Sequence, residues 1–165
     1  MTTIIVLDNI RSAHNVGSIF RTADFFGITD IYLCGTTPPP LDKYGRARSD
    51  IAKVALGSEK SVSWKYFSSS LRAINSLKKR GFKILSIEQD KNSADIKKLC
   101  LYKQSDVALV FGNEVEGVSP KILKISDGIF EIPSFGPKES LNVAVAFGIA
   151  TYIASDGTSC LTRVT

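Results

Sequence analysis

The chain contains a single histidine, His14, and three cysteines, Cys34, Cys100 and Cys160, set far apart. One imidazole and no close cysteine pair cannot supply the four ligands of a structural zinc site, so no metal is expected. The odd cysteine count reads as reduced thiols of a cytoplasmic protein rather than a secreted disulfide framework. No apolar run approaches the roughly 20 residues that span a bilayer, so no membrane segment is expected. The opening MTTIIVLDNI has no basic n-region and meets Asp8 almost at once, which reads as a first strand rather than a signal peptide. No G-x-G-x-x-G follows that strand and no P-loop lysine motif occurs, which argues against a dehydrogenase or another generic nucleotide domain. Internal repeats, low-complexity tracts and linkers are also missing.

What is present is a chain of 165 residues, 44% apolar, with a formal charge of +5. That length reads as one domain over 1–165 with a real core, its tail after about residue 155 frayed. The basic excess suits a polyanionic partner without requiring one, since many basic proteins bind nothing anionic.

Thr3 to Leu7 is a β-branched run and reads as a buried strand. From Val16 an apolar stripe of Val16, Ile19, Phe20 and Ala23 predicts a helix, with Asn15 as N-cap and Gly27 as C′ residue. Ile31 to Cys34 is a second strand. The loop that follows holds three consecutive prolines and the basic residues Lys43, Arg46 and Arg48; it reads equally as a functional loop or a solvated linker. Ser49 or Asp50 caps a short helix. Val62 to Phe67 and Phe82 to Ile87 are strand-like. Between them a helix with the stripe Leu71, Ile74 and Leu77 ends in Lys78, Lys79, Arg80 and Gly81, a charge run that the helix dipole and cap explain. Strands also fall at Val107 to Phe111 and Ile129 to Ile132. A last helix gathers Leu141, Ala144, Val145, Gly148, Ile149 and Tyr152 on one face. Short, continuously apolar strands alternating with helices predict an α/β fold: a mostly parallel sheet covered by helices on both faces.

Two strand ends carry chemistry. The strand ending at Phe111 opens into GNEVEGVSP, with Asn113 and Glu114. The strand ending at Ile132 opens into a loop with Ser140 and Asn142. In such sheets ligands bind beside the carboxyl ends of strands, so the two loops are expected to form one pocket. Gly112, Gly117 and Gly136 permit close backbone approach. Asn113 and Glu116 read as polar loop residues.

Three segments in this order, NVGSIFRTADFFG, FGNEVEGVSP and IPSFGPKESLNVAVAFGIA, resemble the SpoU/TrmH family of RNA 2′-O-ribose methyltransferases, within the SPOUT superfamily. The resemblance covers nearly the whole chain and corresponds to the bare catalytic domain, without a separate RNA-binding domain. It implies a C-terminal deep trefoil knot, S-adenosyl-L-methionine as methyl donor, and a homodimer with its active site near the interface. It implies catalytic positions at Asn15, Arg21, Glu114, Ser140 and Asn142. Backbone contacts to the cofactor are implied at Gly112, Ile132, Leu141 and Ser140.

A ribose 2′-hydroxyl is a very weak acid, so transfer needs alignment and charge stabilisation. Arg21 is the family's candidate base. A guanidinium does not normally deprotonate, and the other reading has Arg21 gripping an RNA phosphate while phosphate or water takes the proton. Glu114 accepts from the ribose or orients Arg21. Ser140 doubles as N-cap of the last helix. His14 is a bystander on this pattern. RNA, with tRNA slightly favoured over rRNA, would be met by Arg21, Lys43, Arg46, Arg48 and Lys53, with Lys138 near the third motif. The opposing reading is a non-catalytic RNA-binding or assembly module that keeps the fold.

Overall fold

A computed structural model of the protein describes residues 1–138 and 140–155. The expected frayed tail and Cys160 lie outside the described residues. Seven strands form one sheet: β1 (Thr3–Asp8), β2 (Asp30–Cys34), β3 (Ser63–Phe67), β4 (Lys83–Ile87), β5 (Ala94–Asp95), β6 (Val107–Phe111) and β7 (Gly128–Glu131). Their order is β3-β2-β1-β6-β4-β7-β5, and every pairing is parallel. The helices are α1 (Ala13–Phe25), α2 (Ser49–Ala55), α3 (Ser58–Ser61), α4 (Ser70–Lys79), α5 (Pro120–Leu123) and α6 (Val143–Ser155), with a 3-10 segment over Ile96–Tyr102.

Strand pleating sends alternate side chains to opposite faces. Ile5 and Leu7 of β1 join the core beneath α1, α2, α6 and the 3-10 segment, whereas Ile4 and Val6 join the core beneath α4 and α5. Both faces of β1 and β6 are therefore dry, which is why no polar alternation shows in their sequences. The expected α/β class with helices on both faces is what the structure has.

Several local readings change. Helix α1 begins three residues earlier than its apolar stripe, because Ser12 is the N-cap and its Oγ accepts from Asn15 N at 3.2 Å. Asn15 is thus in the first turn, and its side chain is released from capping. Gly27 does take the left-handed conformation after α1, with φ of 70°. Helix α2 starts without a side-chain cap and stops where Leu56 and Gly57 both adopt positive φ. Of the expected α4 stripe Ile74 and Leu77 are buried, with Ala73, whereas Ser70 goes inward in place of Leu71, which points outward. Ser70 goes inward because its hydroxyl donates to the buried Asp8 carboxylate. The polar stretch after β4 hides the two-residue β5 and the 3-10 segment.

On α6 the expected face is real but is not the core face. Val143, Phe147, Ala150 and Thr151 are buried, and Val145 and Tyr152 stay half exposed. Contacts advance together along α1 and α6: Asn142 meets Asn15, Gly148 faces Thr22, and the Tyr152 ring lies 6.4 Å from that of Phe26. The two helices therefore run parallel, with an uncovered apolar seam along them.

Burial pushes the free Cys34 thiol up to about 12, so it stays protonated and inert at neutral pH. Cys100 is disulfide-bonded, which corrects the reading of reduced thiols at that position. Among the described residues no helix is long and apolar enough to cross a membrane.

Helix α1 reaches α2 through Gly17, where a Cβ would sit 2.8 Å from the Ile51 carbonyl oxygen and 2.8 Å from Val54 Cβ. Neither neighbour is a flexible side-chain end. Gly17→Ala is expected to cost about 1–3 kcal/mol by overpacking, read as a lower urea midpoint at unchanged m-value.

Candidate active site

The carboxyl ends of β4, β6 and β7 open into a cavity of about 410 Å³. Its wall is made by the residues just past each strand. Glu88 and Gln89 follow β4, Gly112 to Gly117 follow β6, and Ile132 follows β7; Ser140 to Val143 come back to close it. The pocket expected from the two loops is thus present as geometry, and Gly112, Glu114, Ile132, Ser140, Leu141 and Asn142 all line it.

The loop after β6 is a tight turn. Asn113 and Gly117 exchange both backbone hydrogen bonds, at 3.0 and 2.9 Å. The Asn113 side-chain oxygen accepts from Val115 N at 2.8 Å and Glu116 N at 3.1 Å, and its amide donates to the Asn9 carbonyl at 2.8 Å. A Cβ on Gly112 would lie 2.1 Å from the Gly117 carbonyl carbon, so only glycine fits beneath this turn. Gly117 has φ of 67°, and a Cβ there would strike the Glu88 carboxylate. Gly136, by contrast, has open space around it and no positive φ, so its glycine is not required by either argument.

Glu114 leaves this turn and reaches the start of α1. Its carboxylate accepts from Arg11 N at 3.0 Å, Ser12 N at 3.1 Å and the Asn15 side-chain amide at 3.0 Å. The Asn15 side-chain oxygen in turn accepts from the Asn142 amide at 3.1 Å. One chain of hydrogen bonds thereby ties the β6 loop, the first turn of α1 and the start of α6. Partial burial pushes the Glu114 carboxyl up, but the donors at Arg11, Asn15 and Ser12 together outweigh it and hold the group below its ordinary 4.5. A negative charge at this end of α1 is also favoured by the helix dipole.

The expectation that Glu114 orients Arg21 is not met within one chain. The carboxylate is committed to the N–H groups of Arg11 and Ser12, just ahead of α1, and to Asn15. Arg21 lies six residues beyond Asn15, about 9 Å further along the axis, and is exposed outside the cavity. Ser140 is not the cap of the last helix. Asn142 is: its side-chain oxygen accepts from Ala144 N at 2.9 Å and its carbonyl from Ala146 N at 2.9 Å. Asn142 therefore faces the cavity while both ends of its side chain are used. His14 is exposed and does not line the cavity.

The basic residues lie away from the cavity wall. Lys43 and Arg46 flank Tyr44 on the loop before α2, and Lys53 is exposed on α2. Arg48 is engaged bidentately by Asp50, at 3.1 and 2.6 Å, which raises the arginine and lowers the carboxyl. Arg48 must give up that pair to take another anion. Among the described residues there is no cluster able to hold a metal ion.

Residues 2–152 match the profile of the SpoU rRNA Methylase family. The chain belongs to the SpoU family. It is 34% identical over 155 residues to the tRNA (guanosine(18)-2′-O)-methyltransferase of Aquifex aeolicus, covering 92% of this chain and 67% of that protein. It is 31% identical over 155 residues to a 23S rRNA (guanosine-2′-O-)-methyltransferase of Ralstonia nicotianae, covering 92% and 57%. The crystal structure of an AdoMet-bound rRNA methyltransferase from Sinorhizobium meliloti superposes with a TM-score of 0.83 at 27% identity, covering 93% of this chain and 55% of that one. The chain thus spans between 57% and 67% of the two curated relatives.

Three polar residues at strand ends of this SpoU chain escape sequence reading, and of them Glu88 lines the cavity. Asp8, the last residue of β1, is buried and accepts from Asn9 Nδ2 at 2.8 Å, from Ser119 N at 3.3 Å and from Ser70. Asn9 holds φ of 59°, and its carbonyl oxygen accepts from the Asn113 side-chain amide at 2.8 Å. Glu88 accepts from Val118 N at 2.7 Å. The available signal was position: each stands at the carboxyl end of a strand.

Glu114 is lowered in the folded state, so the stability it confers is full above the ordinary carboxylate value and is lost as pH falls through its lower folded value. Wild type is expected to lose urea resistance on acidification below about pH 4.5, whereas Glu114→Gln starts from a lower midpoint at pH 7 and loses less over the same interval. Parallel pH profiles for the two proteins would contradict this clamp.

Proposed function

We propose that this chain transfers the methyl group of S-adenosyl-L-methionine to a ribose 2′-hydroxyl of a structured RNA in the cytoplasm. The observation that carries the reading is the cavity itself, tied to the Asn15–Glu114–Asn142 chain. Its volume is in the range of small-molecule and cofactor sites. Its described lining residues include Glu88, Glu114 and Glu131 and no lysine or arginine, a charge balance that suits a cationic cofactor and repels phosphate. Gly112, Ile132, Ser140 and Leu141, the positions at which backbone contacts to the cofactor are expected, all line it. When bound there, the cofactor supplies an electrophilic methyl group on a sulfonium.

The protein's own residues supply position and charge. Asn142 and Asn15, each held by the other, present amides of fixed orientation beside the cavity. Glu114 acts as a positioning residue that fixes the first turn of α1. Arg21 is the residue able to grip an RNA phosphate with its planar fork and stabilise charge on the 2′-oxygen; a guanidinium is a poor base, so the proton goes to phosphate or water.

Arg21 does not reach its own cavity, and its surroundings explain how it serves one. It stands on the α1 side of the uncovered seam, near Phe25 (82% exposed), with Leu141, Val145 and Tyr152 on the α6 side. Two copies paired through this seam would bury the apolar face and bring each Arg21 to the other's cavity. The deep knot belongs to the same proposal. After β7, which lies between β4 and β5, Ser140 to Asn142 lie across the cavity from the β6 loop and Asn142 joins α1, which supports a knot in the segment after β7.

The relatives named above act on a tRNA and on 23S rRNA, and both RNA classes enter the assay. Tritiated methyl incorporation with nuclease mapping of the 2′-O-methylated nucleotide is expected to be positive with wild type. Arg21→Lys should fall about 100-fold or more at unchanged cofactor affinity. No incorporation despite cofactor binding would favour the non-catalytic module. Mixing Arg21→Ala with Asn142→Ala should restore about a quarter of wild-type activity, since half the dimers are mixed and each has one complete site. Failure to recover would place Arg21 in its own subunit's site.

A further inference from the structure

The loop that joins β2 to α2 is built around one aspartate. The Asp42 carboxylate accepts from Tyr44 N at 2.8 Å, Arg46 N at 2.9 Å and Arg46 Nε at 2.9 Å. Its backbone N–H donates to the Arg46 carbonyl at 2.8 Å and its carbonyl accepts from Gly45 N at 3.0 Å. Leu41 and Ala47 pair as an antiparallel bridge across the base. Gly45 takes φ of 75°, which completes the turn. These bonds hold the Asp42 carboxyl below its ordinary value, the backbone donor of Arg46 first among them. The turn is therefore shaped before anything binds.

At its apex Tyr44 is 68% exposed. Lys43 Nζ and the Arg46 guanidinium each lie 4.9 Å from its ring centroid. Both cations lie over the exposed ring, so a base that stacks there takes the place of one of them and frees it for a phosphate, on a turn that the Asp42 staple already holds.

The root of the loop is tied to the candidate active site. Thr36 N donates to Asn9 Oδ1 at 3.1 Å, and Thr37 Oγ1 accepts from Ile10 N at 3.0 Å and donates to the Leu7 carbonyl at 3.1 Å. Asn9 is the residue whose carbonyl Asn113 holds from the cavity side. β2 is two strands from β6 on the same sheet edge, about 10 Å away at ordinary strand spacing.

We infer that Tyr44 is a stacking platform for an unpaired base of the RNA substrate, with Lys43 and Arg46 on the flanking phosphates. The inference rests on the RNA reading above and adds to it a residue that selects single-stranded over paired RNA near the site. Aromatic rings interleaved with cations are the physical basis of sequence-tolerant single-strand binding, because every base has a π-face.

The test uses the full-length chain and two fluorescein-labelled probes, a 12-nucleotide oligoadenylate and a 12-base-pair RNA duplex. Loss of one base stack predicts that Tyr44→Ala weakens oligoadenylate binding about 5- to 100-fold and leaves duplex binding within about twofold. Tyr44→Phe should bind both probes as wild type does, and Tyr44→Trp should show indole quenching by oligoadenylate. Lys43→Ala should lower the salt slope for oligoadenylate by about 0.7, whereas Tyr44→Ala leaves that slope unchanged. Equal binding by wild type and Tyr44→Ala, equal losses on both probes, or no binding of oligoadenylate by wild type would each overturn the platform. Methyl transfer by wild type is scored separately, so failure of the enzymatic reading and failure of the stack are told apart.

Discussion

The carboxylate of Glu114 is the point from which the candidate site hangs. A turn after β6, a helix start after β1 and a helix start after β7 are three separate loop ends, and nothing in sheet pairing fixes them relative to one another. Glu114 takes two N–H groups at the mouth of α1 and the amide of Asn15, and Asn15 passes the constraint to Asn142. One of those donors, Ser12 N, is the N-cap backbone group that a helix start must satisfy in any case. The interaction therefore serves folding and site geometry together: the helix obtains its acceptor, and the cavity obtains two oriented amides.

This arrangement explains which parts of the sequence were readable. The sheet was legible because β6 is apolar at every position and β1 and β2 carry continuous apolar runs, Ile4 to Leu7 and Ile31 to Cys34, a pattern that few elements other than doubly covered strands produce. The candidate site was legible as two glycine-bearing loops at strand ends, and a third piece, Asn15 with Arg21, came only from the resemblance. Periodicity placed Asn15 at the cap, since asparagine before an apolar stripe is the expected N-cap. The structure gives that task to Ser12, three residues earlier, and the reason is tertiary. Glu114 already satisfies the N–H groups of Arg11 and Ser12, so the helix can begin sooner. No local rule registers an acceptor 102 residues away.

The amphipathic readings failed in an instructive way. On α4 Ile74 and Leu77 are buried as expected, but in the first turn Ser70 replaces Leu71, because a buried Asp8 needed a donor and Ser70 was in reach. On α6 the helix is apolar nearly all round, so periodicity could not say which face turns to the sheet. Phe147 went inward, where its ring meets Phe111 edge-on at 5.3 Å, and Val145 and Tyr152 were left outside. A helix with more apolar surface than one core can use is a helix with a second surface to cover, and the parallel course of α1 beside it extends that surface to Phe25.

Charge is sorted across the molecule in a way that the net figure of +5 conceals. Among the described residues the cavity wall includes Glu88, Glu114 and Glu131 and no lysine or arginine. The exposed cations Arg21, Lys43, Arg46 and Lys53 stand outside it, on α1, the β2–α2 loop and α2. For a reaction between a cationic small molecule and a polyanion, this separation is what the electrostatics require. An acidic pocket holds the first and excludes phosphate; a basic rim attracts the second and keeps it at the mouth. A basic cavity would bind RNA backbone in the place of the methyl donor. An acidic rim would repel the strand before its hydroxyl arrived. On the proposed reading, Arg21 is the one cation that must cross from rim to reacting centre, and the uncovered seam beside it supplies the means: a second copy of the chain carries it there.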